Sequence, residues 1–307
     1  LYIGVFDEPA WTERQQNVRM TVQNTDGIKV PVDSEGRIEA ATVAITGGKT
    51  TKSGTADARK RRYTAYRAPE KPTLDGKLDE AAWRRTQRTQ PFVRPGGRAL
   101  SPKQLTRARM LWDDTYLYVG FLCHDDDIWN IQEGRDATLW QQDVVELYLD
   151  PGSDGKDYVE IQVSPSGELF DAVFATHRSP PWETAAKRLT LKGMTAKVAM
   201  EGTVNARDDG VIDTQWSVEM AIPWAELPGL EGPPKDREEW AINMYRIDAA
   251  REGREGFMGA WSPAGGDFHN TDAFGRVTFK AQVAPAVSRV APRKKALDPA
   301  AVEAARK

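Results

Sequence analysis

Between residues 105 and 280, hydrophobic and polar positions alternate with a period of two over short runs, and turn-prone clusters separate the runs. This predicts strands at 105–112, 116–124, 142–149, 157–164, 168–175, 194–201, 214–222, 239–247 and 275–280. Helical spacing is confined to Asp79–Gln87 and Trp224–Leu227, each enough for a turn or two. Short strands with regular turn signals predict an all-β fold over residues 68–280, an antiparallel β-sandwich of the immunoglobulin-like or jelly-roll type.

The run from Gln142 to Asp150 carries the most information. Alternation puts Val145, Leu147 and Leu149 on one face and Gln142, Val144, Glu146 and Tyr148 on the other. The next run repeats the design, with Val159, Ile161 and Val163 opposed to Tyr158, Glu160, Gln162 and Ser164. The turn cluster Asp150–Gly155 between them predicts a hairpin that brings Glu146 close to Glu160 or Gln162 on a shared face. With Trp140 just ahead of the first strand, that face offers both things a sugar needs: a flat apolar surface for its C–H groups, and acceptors and donors for its hydroxyls. By pattern alone the same residues also describe a strand-edge tryptophan beside a solvated carboxylate face.

The flanks read differently. Residues 1–50 carry strand-like patches at Val18–Val22 and Ala41–Ile45 and predict a small N-terminal β extension. Residues 51–67 read as a linker, since the polar, basic stretch from Gly47 to Arg62 has almost nothing to bury. Residues 281–307 form an Ala/Pro/Lys-rich tail. Either flank could dock a protein partner in a cell-envelope assembly.

Composition narrows the function classes. The 42 basic and 45 acidic residues leave a formal charge of -3, which gives no electrostatic case for nucleic acid. No apolar run reaches the length of a transmembrane span. The single cysteine, Cys123, excludes a disulfide framework and a thiolate zinc site. Ten tryptophans against three histidines favour flat apolar contacts over imidazole chemistry. The chain begins at Leu1 rather than Met, as expected of a processed or trimmed chain.

Several blocks in order carry a family resemblance: LDGKLDEAAW (Leu74–Trp83), ARMLWDDTYLYVGF (Ala108–Phe121), LWQQDVVELYLDP (Leu139–Pro151), VEMAIPWAEL (Val218–Leu227) and AFGRVTF (Ala273–Phe279). Together they resemble the family 9 carbohydrate-binding modules, a DOMON-like sandwich. The resemblance implies non-catalytic binding of an oligosaccharide or polysaccharide end, and a secreted, periplasmic or cell-surface location. It also implies a sugar held between two tryptophans. Trp140 matches one wall, with Gln142 and Glu146 in its motif and Glu160 beside them. A family arginine falls near Gln162, and the second tryptophan falls at Phe268, followed by His269 and Asn270. Phenylalanine offers less stacking area than an indole. Trp261, at the same mouth, is expected in the core. The family's structural calcium points to Asp125, Asp127 and Asp154, and no redox cofactor is required.

Other classes remain open at this point. Glu146 and Glu160 on adjacent strands permit the separation of about 5 to 5.5 Å that a retaining glycosidase pair needs. A haem b domain would draw axial ligands from Met110, Met220, Met244 or His124. A structural module would keep the sandwich and lose the sugar site.

Overall fold

The computed structural model describes residues 60–206 and 210–283. The expected N-terminal extension, most of the linker and nearly all of the tail lie outside these residues. The strands are β1 (Arg62–Arg67), β2 (Thr106–Trp112), β3 (Tyr116–His124), β4 (Val144–Asp150), β5 (Tyr158–Val163), β6 (Leu169–Phe174), β7 (Thr195–Glu201), β8 (Gln215–Pro223), β9 (Glu239–Asp248), β10 (Phe257–Ala260) and β11 (Gly275–Val283). Two short helices accompany them, α1 (Ala81–Arg84) and α2 (Trp182–Arg188).

All the strands join one eleven-stranded sheet in the order β6-β5-β4-β9-β11-β1-β2-β3-β8-β7, with β10 paired to β9. The expected strands are found in place. Residues 62–67, read as linker, instead form β1, which pairs in parallel with both β11 and β2 and so joins the two halves of the sheet. Its inward positions are Tyr63 and Ala65, a row too short to stand out within a basic run. The sequence reading also passed over β10 and α2, and Asp79–Gln87 contracts to the single turn of α1.

The inward rows of both halves meet in one core. Val145, Leu147 and Leu149 of β4 and Val159, Ile161 and Val163 of β5 belong to the same buried cluster as Val119 and Phe121 of β3. Met110, Met220 and Met244 are fully buried in it, where their thioethers fill space between the apolar side chains. Trp261 is also core, edge-on to Tyr63. Near the end of β9, Arg246 follows the inward parity of Trp240, Ile242 and Met244 but is fully buried with Asp125 at 2.8 Å and Asp248 at 3.0 Å.

Each half of the sheet also buries part of its outer face. On the β2–β3–β8 side, α1 covers Leu111, Tyr118 and Ala221 and places Trp83 against them. The Trp83 indole donates to Glu219 Oε1 at 2.6 Å. On the other side, a second apolar cluster spreads over β4, β5, β6 and β9, and it surrounds the candidate site.

Candidate functional site

Four neighbouring strands, β6, β5, β4 and β9, align their outward side chains in rungs. One rung runs Phe170, Gln162, Glu146, Tyr245, and the next runs Ala172, Glu160, Tyr148, Asn243. Period-two alternation puts these residues on one face, and the strand register sets polar groups in the middle with aromatic rings around them. Loops close the face on several sides. A short 3-10 turn, Leu139–Gln141, delivers Trp140; the segment before α2 brings Arg178, Pro181 and Trp182; and the loop before β11 brings Phe268 and His269. The result is a cavity of about 460 Å³, within the range of small-ligand sites.

The walls are aromatic. Trp140 stands edge-on to Trp182 at 4.9 Å and to Phe170 at 5.6 Å, which fixes its ring plane. Phe268 lies flat on Tyr245, with centroids 3.9 Å apart and planes 8° from parallel. The Tyr245 hydroxyl donates to the Phe268 carbonyl at 3.0 Å and holds that loop down.

The floor is polar and buried. Glu146 is 1% exposed and its Oε2 has no hydrogen-bond partner. Gln162, directly opposite it in register, donates from Nε2 to Glu160 Oε1 at 2.6 Å and leaves its own Oε1 without a partner. Burial pushes the Glu160 carboxyl up to about 7, against the hydrogen bonds from Gln162 and Tyr148. Burial, reinforced by the Glu160 charge, pushes Glu146 well above the usual carboxylate range. His269 Nδ1 lies 2.8 Å from the Tyr158 hydroxyl, and burial holds its pKa down to about 3, so the imidazole is neutral at physiological pH. At the rim, Arg178 pairs with Asp267 at 2.9 Å, and His177 reaches the other Asp267 oxygen at 2.7 Å. Burial acts to raise Asp267, but the hydrogen bond from His177 and the charge of Arg178 outweigh it and lower its pKa.

The cavity thus gathers Trp140, Glu146, Glu160, Gln162, Phe268 and His269. Gln142 is placed elsewhere. It is fully buried, with Oε1 accepting the Ile131 and Gln132 amides at 2.7 and 2.6 Å and Nε2 donating to Asn130 at 3.0 Å. Every polar atom of that side chain is used to anchor a loop. Asn270 is likewise outside the cavity lining and caps the 3-10 turn Thr271–Ala273. The sequence reading did not place Tyr148, Phe170, Phe174, Arg178 or Trp182 in the site. The cluster Pro180-Pro181-Trp182 was the available signal, a tryptophan presented by a rigid loop.

Two of the three aspartates expected to hold calcium, Asp125 and Asp127, face arginines. Asp125 accepts from Arg246 and from the Trp216 indole, and Asp127 pairs with Arg251 and Arg254. A guanidinium in contact with these oxygens repels a cation. Asp154 lies on an exposed turn and accepts the Lys156 amide at 3.1 Å. Among the described residues, Asp75, Glu80 and Glu219 bring carboxylate oxygens within 4.8 Å of one another. Glu219, however, already accepts the Trp83 indole and the Asp75 and Gly76 amides. Glu80 Oε2 in this cluster is buried without a hydrogen-bond partner, and calcium would need carbonyl or water oxygens beside these carboxylates to reach its roughly six to eight ligands.

A second cavity of about 310 Å³ lies over the other half of the sheet, lined by Lys77, Arg88, Arg107 and Arg109. Its tryptophan, Trp216, is fully buried and offers no stacking face. The first cavity joins aromatic walls to a polar floor. Residues 74–282 match the carbohydrate family 9 binding domain-like family, and the chain belongs to it.

Over 210 residues, 67% of this chain and 17% of the relative, the chain is 23% identical to endo-1,4-beta-xylanase A of Thermotoga maritima. Over 209 residues, 66% of this chain and 16% of the relative, it is 25% identical to endo-1,4-beta-xylanase C of Paenibacillus barcinonensis. The chain therefore spans 16–17% of the length of these curated relatives. Among solved structures, a family 9 carbohydrate-binding module from Caldicellulosiruptor kristjanssonii, in complex with cellotriose, aligns with TM-score 0.51 and 18% identity, over 76% of this chain and 100% of that one. A Bacteroides uniformis protein aligns with TM-score 0.55 and 16% identity, over 72% of this chain and 100% of that one. These likenesses show the fold. Among the described residues, no helix is long and apolar enough to cross a membrane.

Proposed function

We propose that this chain is a secreted, non-catalytic module that binds an oligosaccharide or a polysaccharide end in the cavity between Trp140 and Phe268. In this reading β6-β5-β4-β9-β11 and β2-β3-β8-β7 are the two layers of a β-sandwich, with β1 joining them at one edge. The observation that carries the proposal is the pairing of aromatic walls with a buried polar floor in one cavity, within a carbohydrate-binding family. Trp140 and Phe268 would stack on the C–H faces of a sugar ring, while Glu146, Glu160 and Gln162 would bond to its hydroxyls. Glu146 Oε2, a buried acceptor without a protein partner, is available on this floor to a ligand hydroxyl.

Calorimetric titration with cello- and xylo-oligosaccharides, native and reduced at the anomeric carbon, tests the reading. Saturable heats with at least one series are expected, and weaker binding after reduction would identify end recognition. No heat with any member of the panel would overturn it. Non-catalytic binding is tested with chromogenic glycosides. Turnover that is lost in Glu146→Gln would make the chain a glycosidase.

A further inference from the structure

The two buried side-chain atoms that line the cavity and lack a hydrogen-bond partner are Glu146 Oε2 and Gln162 Oε1. Both are acceptors, and they belong to residues directly opposite in the β4–β5 register. Glu160 adds a carboxyl on the next rung, bonded to the Gln162 amide that would otherwise have been the free donor. Among the lining residues Arg178 is the one Lys or Arg side chain, and it is 57% exposed at the rim and already paired with Asp267. The floor is therefore short of donors and of positive charge.

We propose that the sugar bound here carries a protonated amine, with its ammonium seated among Glu146, Glu160 and Gln162. This inference rests on the carbohydrate-binding reading above and specifies its ligand class. A sugar hydroxyl offers one donor. An ammonium offers three together with a full charge, which matches a site built from two carboxyls and an orphaned amide oxygen. The aromatic walls suit the same ligand, because ring faces attract a cation as well as packing against C–H groups.

Protons take part in the binding. The groups facing the floor are Glu146 and Tyr148 on β4, Tyr158 and Glu160 on β5, Tyr245 on β9, His177 and Arg178 before α2, and Asp267 and His269 before β11. The row presented by β6 is Phe170, Ala172 and Phe174, which do not titrate. His269 is neutral, and Arg178 and His177 pair with Asp267, so in the empty site burial, reinforced by their mutual repulsion, favours a proton on this pair of carboxyls. An ammonium replaces that proton. Its binding releases protons at neutral pH and strengthens as the pH rises, until the amine itself deprotonates.

The experiment compares the β-1,4-linked dimer of glucosamine, its N-acetylated form and cellobiose at pH 7 and 0.15 M salt, by calorimetry in two buffers of different ionisation enthalpy. The expected result is binding of the glucosamine dimer at least tenfold tighter than cellobiose, with proton release, and no such gain for the acetylated form. Glu146→Gln should bring the glucosamine-to-cellobiose affinity ratio to within about threefold of one. Glu160→Gln serves the same purpose if the first variant does not fold, folding being read by circular dichroism. Cellobiose bound as tightly as the amine, through a protonated Glu146 donating to a hydroxyl, would overturn the amino-sugar inference and leave the carbohydrate reading standing. A tenfold preference that persists in both variants would place the cation elsewhere and overturn it too. No binding of any of the three would overturn the amino-sugar inference, while the carbohydrate reading is decided by the cello- and xylo-oligosaccharide panel.

Discussion

Trp140→Ala tests the wall on which the functional reading depends. The Trp140 ring is held edge-on by Trp182 and Phe170, so it is a preset surface and not a flexible flap. A large aromatic anchor at the centre of a binding site contributes about 2 kcal/mol or more when truncated. At about 1.4 kcal/mol per decade, this corresponds to a Kd roughly thirtyfold weaker. Two aromatic contacts are lost at the same time, worth about 0.5–1.5 kcal/mol each, so stability should fall by about 1–3 kcal/mol. Because the ring is half-buried, that cost is below the one for emptying a core position. Isothermal titration with the strongest-binding oligosaccharide gives the Kd, and urea unfolding gives the stability. A Kd within twofold of wild type, in a variant shown to be folded, would refute the assignment of this wall.

Other expectations follow from buried groups. Glu160 and Glu146 hold protons in the folded state that the unfolded chain, titrating near about 4.3, gives up. Their contribution to stability is full below that value, and the Glu160 share is lost as the pH rises through about 7. The thermal midpoint of the ligand-free protein should therefore fall between about pH 5 and 8, and Glu160→Gln should flatten the fall. Arg246→Met removes the fully buried cation beside Asp125 and Asp248, leaving them the part-buried Arg254 at 3.5 and 3.1 Å, and should cost about 3–5 kcal/mol in urea unfolding. A cost under about 1 kcal/mol would mean that the ion network is dispensable. Gly76→Ala should lose about 1–3 kcal/mol by the same assay. Gly76 has φ +91°, and a Cβ there would overlap the Ala199 nitrogen and the Val198 carbonyl carbon.

The aspartates show why spacing alone does not make a metal site. Asp125 and Asp127 sit close together in sequence after a strand, a plausible set of oxygen ligands when read linearly. The fold brings Arg246, Arg251 and Arg254 against them from more than a hundred residues away. Gln142 shows the same effect within the binding motif. Its neighbours in sequence place it beside Trp140, yet its amide is consumed by the Ile131–Gln132 backbone.

The sequence by itself determined most of the strands, because period-two alternation is a local property, and it put Glu146 on one face with Glu160 and Gln162, while the register that sets Gln162 opposite Glu146 came from the structure. The family resemblance pointed to Trp140 and Phe268, which line the same cavity. Tertiary structure decided everything that depends on long-range register. It made β1 from an apparent linker, set Tyr245 beneath Phe268, brought Trp182 against Trp140, and buried Glu146 at the bottom of the cavity. The last of these matters most. A carboxylate on a strand face looks the same in sequence whether it is solvated or buried, and only the packing around it gives it a shifted proton affinity and an oxygen without a partner.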